Sequence, residues 1–88
     1  MSKSSKNIDD RKYIVLLENE SGYIDCEAVC STKEEAYGHA YLSLIEGLDE
    51  SFYYVTLPEL REGGGIRMEL RDRRDYSLLT YATILLYK

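Results

Sequence analysis

The sequence has no tryptophan, one phenylalanine, one proline, one histidine and two cysteines among its 88 residues. Two cysteines are too few for the disulfide framework that holds many small secreted domains together. No segment approaches the ~20 consecutive apolar residues that a membrane helix needs, and the polar start lacks the apolar run of a signal peptide. We therefore expect a cytoplasmic protein with no membrane contact.

Tyrosine, by contrast, is abundant, with nine copies in the chain. A chain of this length fits one small domain, which buries only about 60 to 65% of the surface of its unfolded chain. So small a core cannot easily hold that many hydroxyl groups. Several tyrosines are therefore expected on a surface that meets another molecule.

The formal net charge of -5 is distributed unevenly along the chain. Residues 18–50 contain nine acidic residues and one basic residue, whereas residues 59–75 contain five of each sign, and all five bases are arginines. Direct nucleic-acid binding usually requires a net basic face, so this pattern argues against it. It favours a basic protein partner, such as a nucleic-acid-binding protein, or a second copy of the chain.

Hydrophobic patterning predicts a polar, flexible tail over residues 1–10 and a single α+β domain over residues 11–88. The predicted order is β-β-α-β-β-β, a mainly antiparallel five-stranded sheet with one helix packed on one face. Residues 76–87 also fit a helical stripe, but their threonines, tyrosines and isoleucine favour a strand. The predicted strands cover residues 12–18, 23–30, 51–57, 66–71 and 76–87.

The helix is predicted from its capping pattern and its apolar stripe. Ser31 and Thr32 each precede a glutamate by three residues, so either can form a capping box. Small and apolar residues then recur at helical spacing until Gly47, which is placed to end the helix. Gly38 inside the helix costs about 1 kcal/mol relative to alanine unless it allows a close approach.

One helix can cover only one face of such a sheet. The first and last predicted strands carry apolar side chains on both faces. The face away from the helix is therefore predicted to be an apolar, tyrosine-rich interface. Because a second copy is the commonest way to cover such a face, a homodimer is expected. The predicted partner-binding residues on this sheet face are Tyr13, Val15, Leu17, Tyr81, Leu85 and Tyr87.

The residues with reactive side chains do not combine into a site. Cys26 and Cys30 lie ~13 Å apart if both are on one strand face, which is beyond the reach of a disulfide. We interpret them as core thiols, and His39 as a solvated helix residue. A Gly-rich run at residues 63–65 lacks the Lys-Ser/Thr of a phosphate-binding loop and is predicted to form a hairpin turn. No catalytic residue, metal or cofactor is predicted.

Two charged groups are candidate binding sites. Four arginines could grip a phosphate or carboxylate, although the acids interleaved with them favour a self-paired cluster: Arg67, Arg71, Arg73 and Arg74. Five acids could form a second partner-binding surface: Glu34, Glu35, Glu46, Asp49 and Glu50.

The acidic stretch could imitate the phosphate spacing of DNA, as phage-encoded inhibitors of nucleic-acid enzymes often do. We therefore predict a small acidic, non-enzymatic binding protein that acts by protein–protein interaction, and our narrower hypothesis is a phage-type inhibitor of a nucleic-acid-binding or defence enzyme. Two alternatives remain open. One is a homo-oligomer that binds or sequesters a small anionic ligand such as a nucleotide, and the other is a structural or adaptor homodimer.

Overall fold

A computed structural model describes residues 12–18 and 21–87, which form an antiparallel sheet with one helix packed on one face. The α+β class and the antiparallel sheet are confirmed, and a two-residue strand, β4, is added to the five strands predicted. The predicted tail, residues 1–10, lies outside the described residues. The elements are β1 Lys12–Glu18, β2 Ile24–Cys30, α1 Lys33–Ile45, β3 Tyr53–Val55, β4 Glu59–Leu60, β5 Ile66–Asp72 and β6 Leu78–Tyr87.

The strands lie in the order β2-β1-β6-β5-β3, with β4 also paired to β5, and every pair is antiparallel. The first and last strands of the described chain are therefore neighbours near the middle of the sheet. Val15 on β1 and Ile84 on β6 are Cα partners, and both are fully buried. The middle of the sheet thus coincides with the two most apolar strands of the sequence.

The strand interpretation of residues 76–87 is confirmed, because β6 pairs with β1 on one side and with β5 on the other. Its burial alternates: Ala82 and Ile84 are buried, whereas Tyr81 and Thr83 are only half-buried. The β-branched and aromatic residues of this segment therefore outweigh its helix-like leucine spacing.

The helix begins and ends as predicted. The Thr32 hydroxyl accepts a hydrogen bond from the Glu35 backbone N–H at 3.2 Å, which satisfies one of the free amides of the first turn. The same hydroxyl donates to Glu35 Oε1 at 3.3 Å, so the carboxylate caps the threonine side chain rather than its backbone. Gly47 has a φ of 78°, a left-handed conformation that suits glycine and ends the helix.

The hydrophobic core lies between the helix and one sheet face. Ala36 and Ala40 are fully enclosed and, being small, they let the helix approach the sheet closely. The helix in the described part of the chain, α1, is not long and apolar enough to cross a membrane. The buried core residues are Val15, Cys30, Ala36, Ala40, Leu44, Ile45, Met68, Leu70, Ala82 and Ile84.

The predicted orientation of β1 is wrong. Tyr13, Val15 and Leu17 pack on the helix side, not on the uncovered face. Because β1 is apolar at both odd and even positions, its sequence could not show which set faces the helix. Pairing with β6 decides it, since Val15 lies beside Ile84 and is buried with it.

A bulge in β2 breaks the predicted alternation of that strand. Val15 pairs with Ala28 and Leu16 with Cys26, which leaves Glu27 as an extra residue. The parity of β2 therefore changes, so Cys30 is buried as predicted but Cys26 is exposed, and its interpretation as a core thiol is wrong. Burial and the nearby Glu35 carboxylate raise the pKa of the Cys30 thiol.

The glycine run forms the predicted hairpin turn, which joins β4 to β5. The Arg61 N–H donates to the Gly65 carbonyl at 2.7 Å, and the Gly64 N–H donates back to the Arg61 carbonyl at 3.0 Å. Gly63 and Gly64 have φ values of 91° and 95°, which side chains rarely allow.

Candidate interaction surfaces

The sheet face away from the helix is not covered by any described element, and we call it the open face. Tyr81, Leu85 and Tyr87 lie on it, because their parity on β6 is opposite to that of buried Ala82 and Ile84. Its other members follow from the strand register: Ile14 and Leu16 on β1, Ile24, Cys26 and Val29 on β2, Thr83 on β6, and Arg67, Glu69 and Arg71 on β5.

The half of the open face formed by β2, β1 and the end of β6 is apolar, and we call it the apolar half. Val29, Ile14 and Leu85 are successive cross-strand partners, so they form one row across three strands. Val29 remains 57% exposed and Ile24 63% exposed. A shallow depression of about 110 Å³ lies beside them, lined by Leu16, Glu18, Ile24, Tyr81 and Thr83.

The β5 half of the open face is ionic, and Glu69 is its centre. The Glu69 side chain is only 13% exposed, and Arg71 donates from Nε to Glu69 Oε1 at 2.9 Å. Arg67 Nε lies 2.9 Å from Glu69 Oε2, but its N–H does not point at this oxygen, so the contact is an ion pair rather than a hydrogen bond. Arg61 adds a third guanidinium at 3.4 Å.

The ionisation of Glu69 reflects this arrangement. Burial by itself would raise the pKa of the carboxyl. The hydrogen bond and charge of Arg71, together with the charges of Arg67 and Arg61, outweigh burial and lower the pKa. Glu69 is therefore held as a carboxylate.

Tyr81 connects the two halves of the open face. The Arg67 guanidinium carbon lies 3.9 Å from the centre of the Tyr81 ring, within the range of a cation–π contact. Tyr81 is also the cross-strand partner of Glu69. The ring is thus half-covered by the chain itself, which leaves less of it for a partner than the sequence suggested.

The four predicted anion-binding arginines are not brought to one point. Arg67 and Arg71 flank Glu69, whereas Arg73 and Arg74 lie in the turn between β5 and β6. Arg74 makes a two-pronged contact with Asp72, at 2.9 Å from Nε and 2.6 Å from Nη2. These hydrogen bonds lower the pKa of the Asp72 carboxyl.

The turn arginines also contact aromatic rings. Arg73 Nε donates to the Glu50 carbonyl at 2.9 Å, and its guanidinium lies 5.2 Å from the Tyr54 ring. Arg74 lies 5.2 Å from the Phe52 ring. All four arginines therefore already contact an oxygen of the chain, and an anionic ligand would have to displace these contacts. The self-paired interpretation is the one that the geometry favours.

The five predicted acidic residues are exposed, but they form two groups. Glu34 and Glu35 lie in the first turn of α1, whereas Glu46 follows its last residue. A rise of about 1.5 Å per residue separates these ends by roughly 17 Å. Asp49 and Glu50 come directly after the second group, where the Asp49 carboxylate accepts a hydrogen bond from the Ser51 N–H at 2.8 Å.

Acids from β1 and β2 join the second group in a groove between β2 and the helix. We call this the acidic groove, and its volume is about 270 Å³. Ser43 donates to Glu27 Oε1 at 3.5 Å across it. The groove is lined by Leu17, Glu18, Asp25, Glu27, Ser43, Leu44, Glu46 and Thr80.

Sequence reasoning missed members of both surfaces. Ile14 and Leu16 of the open face were missed because the face of β1 was assigned the wrong way round, and Ile24 and Val29 because the bulge in β2 was not predicted. Glu18, Asp25 and Glu27 were counted in the acidic stretch but not placed beside Glu46, because only the strand pairing and helix packing bring them together.

Within residues 12–18 and 21–87, no three His, Cys, Asp or Glu side chains are arranged so that they could hold a metal ion together. His39 lies on the outer surface of the helix, where Glu35, Gly38 and Leu42 surround it in a shallow depression. The chain matches no protein-family model, no curated protein and no solved structure. A functional interpretation therefore depends on the surfaces described above.

Proposed function

We propose that this protein is a small non-enzymatic binding protein that attaches to a basic surface of a larger protein through its acidic groove and the adjoining Asp49 and Glu50. The observation that carries the proposal is the unequal distribution of basic residues between the two sides of the described chain. On β4, β5 and the turn after β5, Glu59, Glu69 and Asp72 each contact an arginine.

The helix side differs. Between residues 21 and 50 the described chain has seven acidic residues, all exposed, and one base, Lys33. Carboxylates around a concave surface create a negative electrostatic potential that attracts cations. This potential accelerates encounter with a basic partner. An acidic groove of this kind supports recognition of lysines or arginines that project from a partner.

The narrower proposal is a phage-type inhibitor of a nucleic-acid-binding or defence enzyme. Such enzymes present basic grooves, and a small acidic protein that occupies the groove excludes the nucleic acid. Size, net charge and the one-sided acidic surface support this proposal by association. The physical prediction it makes is a strong salt dependence of binding.

The test compares two double variants that remove equal charge from different surfaces. Glu27→Gln with Glu46→Gln alters the acidic groove, and Glu59→Gln with Glu62→Gln alters the β4–β5 hairpin. Asp49 is left unchanged because its carboxylate caps the Ser51 amide. The partner is isolated from a native lysate by cross-linking and mass spectrometry, and association rates are then measured with the purified partner.

We expect the groove variant to associate about 3- to 10-fold more slowly at low salt, with a flatter salt dependence, while the hairpin variant keeps the original rate. Equal slowing by both variants would show that only net charge matters. Unchanged rates in both would leave the acidic groove as an ordinary solvated surface. Either result overturns the proposal.

A further inference from the structure

We propose that the open face pairs with the open face of a second copy, in a two-fold dimer whose facing β1 strands run antiparallel. This inference concerns the sheet face opposite the acidic groove, with Glu18 at the edge of both surfaces, and it does not depend on the proposed function. It starts from the apolar half, where Val29, Ile14 and Leu85 form a continuous row that no element of residues 12–18 and 21–87 covers. Such rows commonly mark interfaces.

The charges at the two ends of β1 indicate what covers this row. On the open face, β1 presents Lys12, Ile14, Leu16 and Glu18 in that order, with the two charged residues exposed. A copy that lies face to face and antiparallel places its Glu18 opposite Lys12, and its Leu16 opposite Ile14. β1 of one copy therefore matches β1 of the second copy in charge as well as in hydrophobicity.

The ionic half of the open face fits the same arrangement. The two-fold axis runs between the two sheets, perpendicular to the strands, at the level of Val15 and Ile84, which are Cα partners. Arg67 pairs with Thr83 and Glu69 with Tyr81, so both lie on the β6 amino-terminal side of that level. The axis sends the corresponding residues of the second copy to the other side. Glu69 and Arg71 of the two copies are therefore carried apart, whereas Arg67 lies one residue from the axis, ~7 Å along the strands from its counterpart, and stays paired with its own Glu69.

At the facing position, Gly65 lies against the side chains of Leu85 and Thr83. A Cβ atom at Gly65 would lie 3.3 Å from Leu85 Cδ2 and 3.5 Å from Thr83 Cγ2, so the turn sits directly on the apolar row. The arginine row of one copy thus faces a turn without a side chain and Leu85 of the other. Packed sheets stand ~10 Å apart, a distance that arginine and leucine side chains fill.

The test measures self-association of the full chain by sedimentation equilibrium from about 1 to 200 µM. We expect a species of twice the 10.2 kDa mass of the chain. Val29→Lys and Leu85→Lys should each raise the dissociation constant at least about tenfold. Leu42→Lys is the matched control, because Leu42 is 65% exposed on the outer helix surface and should have no effect.

A charge exchange tests the antiparallel arrangement itself. Lys12→Glu and Glu18→Lys each place like charges together in the dimer and should weaken it about 3- to 10-fold, whereas the double variant should restore the original affinity. Thermal unfolding of each variant verifies that it is folded. A wild-type chain that stays monomeric, a dimer insensitive to Val29→Lys and Leu85→Lys, or a double charge variant without restored affinity overturns the inference.

Failure of this inference is distinguishable from failure of the proposed function. Val29→Lys and Leu85→Lys leave the acidic groove intact, so a monomeric variant should still bind a basic partner at its groove. Loss of partner binding together with the dimer would overturn the acidic groove as the partner site, while the dimer itself would stand.

Discussion

On the helix side of the sheet, Val15 and Ile84 are fully enclosed, whereas their chain neighbours Ile14 and Leu85 on the open face remain accessible to solvent. The same two strands supply both pairs. The helix-covered face is stabilised by apolar burial against small residues of α1. The open face relies on the contacts among Arg67, Tyr81 and Glu69 over part of its area, and leaves the rest apolar.

This difference shows that one helix is enough to cover only one face of a sheet of this size. A helix of 13 residues covers the middle of the sheet on one side, and no described element covers the other. Long arginine side chains can lie across a sheet and shield apolar atoms with their methylene groups. On β5 the Arg67 guanidinium covers the Tyr81 ring, whereas β1 and β2 contain no arginine, which is why the apolar half is the part available for an interface.

The largest difference between the two faces should appear in core truncation. Ile84→Ala removes a buried side chain on the helix side and should lower the free energy of unfolding by about 2 to 5 kcal/mol. Leu85→Ala, one residue later, should cost less than about 1 kcal/mol in the monomer, because Leu85 is already 39% exposed. Urea unfolding at low protein concentration measures both. Similar losses would mean that the two faces are equally buried.

The ionic half of the open face should contribute the next largest effect. Glu69→Gln removes the carboxylate that three guanidinium groups share, of which Arg61 keeps its contact with Glu59, and should cost about 1 to 3 kcal/mol at pH 7. Glu62→Gln, in the exposed hairpin turn, is the control and should cost little.

The cost of Glu69→Gln should also depend on pH. The pKa of Glu69 is lowered from its ordinary value of 4.5, so its stabilising contribution is complete above that value and is lost as the pH falls through the folded-state pKa. The gap between wild type and variant should therefore close on acidification. A gap that stays constant down to the acid transition would show that Glu69 acts through packing and not through charge.

The smallest effect on stability is expected on the outer surface of the helix, which does not contact the sheet. A Cβ atom at Gly38 would meet nothing within 4 Å, so Gly38 permits no close approach. Gly38→Ala should stabilise the protein by about 0.5 to 1 kcal/mol by favouring the helix. Gly47→Ala is the contrasting variant, because its φ of 78° makes any side chain unfavourable. Destabilisation by Gly38→Ala would indicate that something packs against this surface.

Local features of the fold could be predicted from the sequence because they depend on neighbouring residues. The Thr32 cap, the end of the helix at Gly47 and the hairpin turn at Gly63 and Gly64 each follow from the backbone preferences of a few residues. The last strand was also predictable from its threonines, tyrosines and isoleucine, which favour a strand although they only equal its leucines and alanine in number.

The faces of β1 and β2 could not be predicted, because they depend on distant residues. The apolar residues of β1 fill both parities, and only its pairing with β6 shows that Val15 faces the helix. A bulge at Glu27 changes the parity of β2, and no residue type marks it in the sequence. Which residues belong to the candidate interaction surfaces depends on this register. Ile14 and Val29 were therefore missed, whereas Leu85 was found.

The position of β6 between β1 and β5 has a consequence for how the chain folds. The pairing of β1 with β6 joins Lys12 to Tyr87, so it closes the longest loop that the described chain allows. Contacts of such large sequence separation form slowly, because the entropy of loop closure must be overcome first. During synthesis the β1–β2 hairpin is made long before its other neighbour exists, and the inner edge of β1 stays unpaired. We expect this edge to be the point at which a nascent or partly unfolded chain is most exposed to mispairing with another strand.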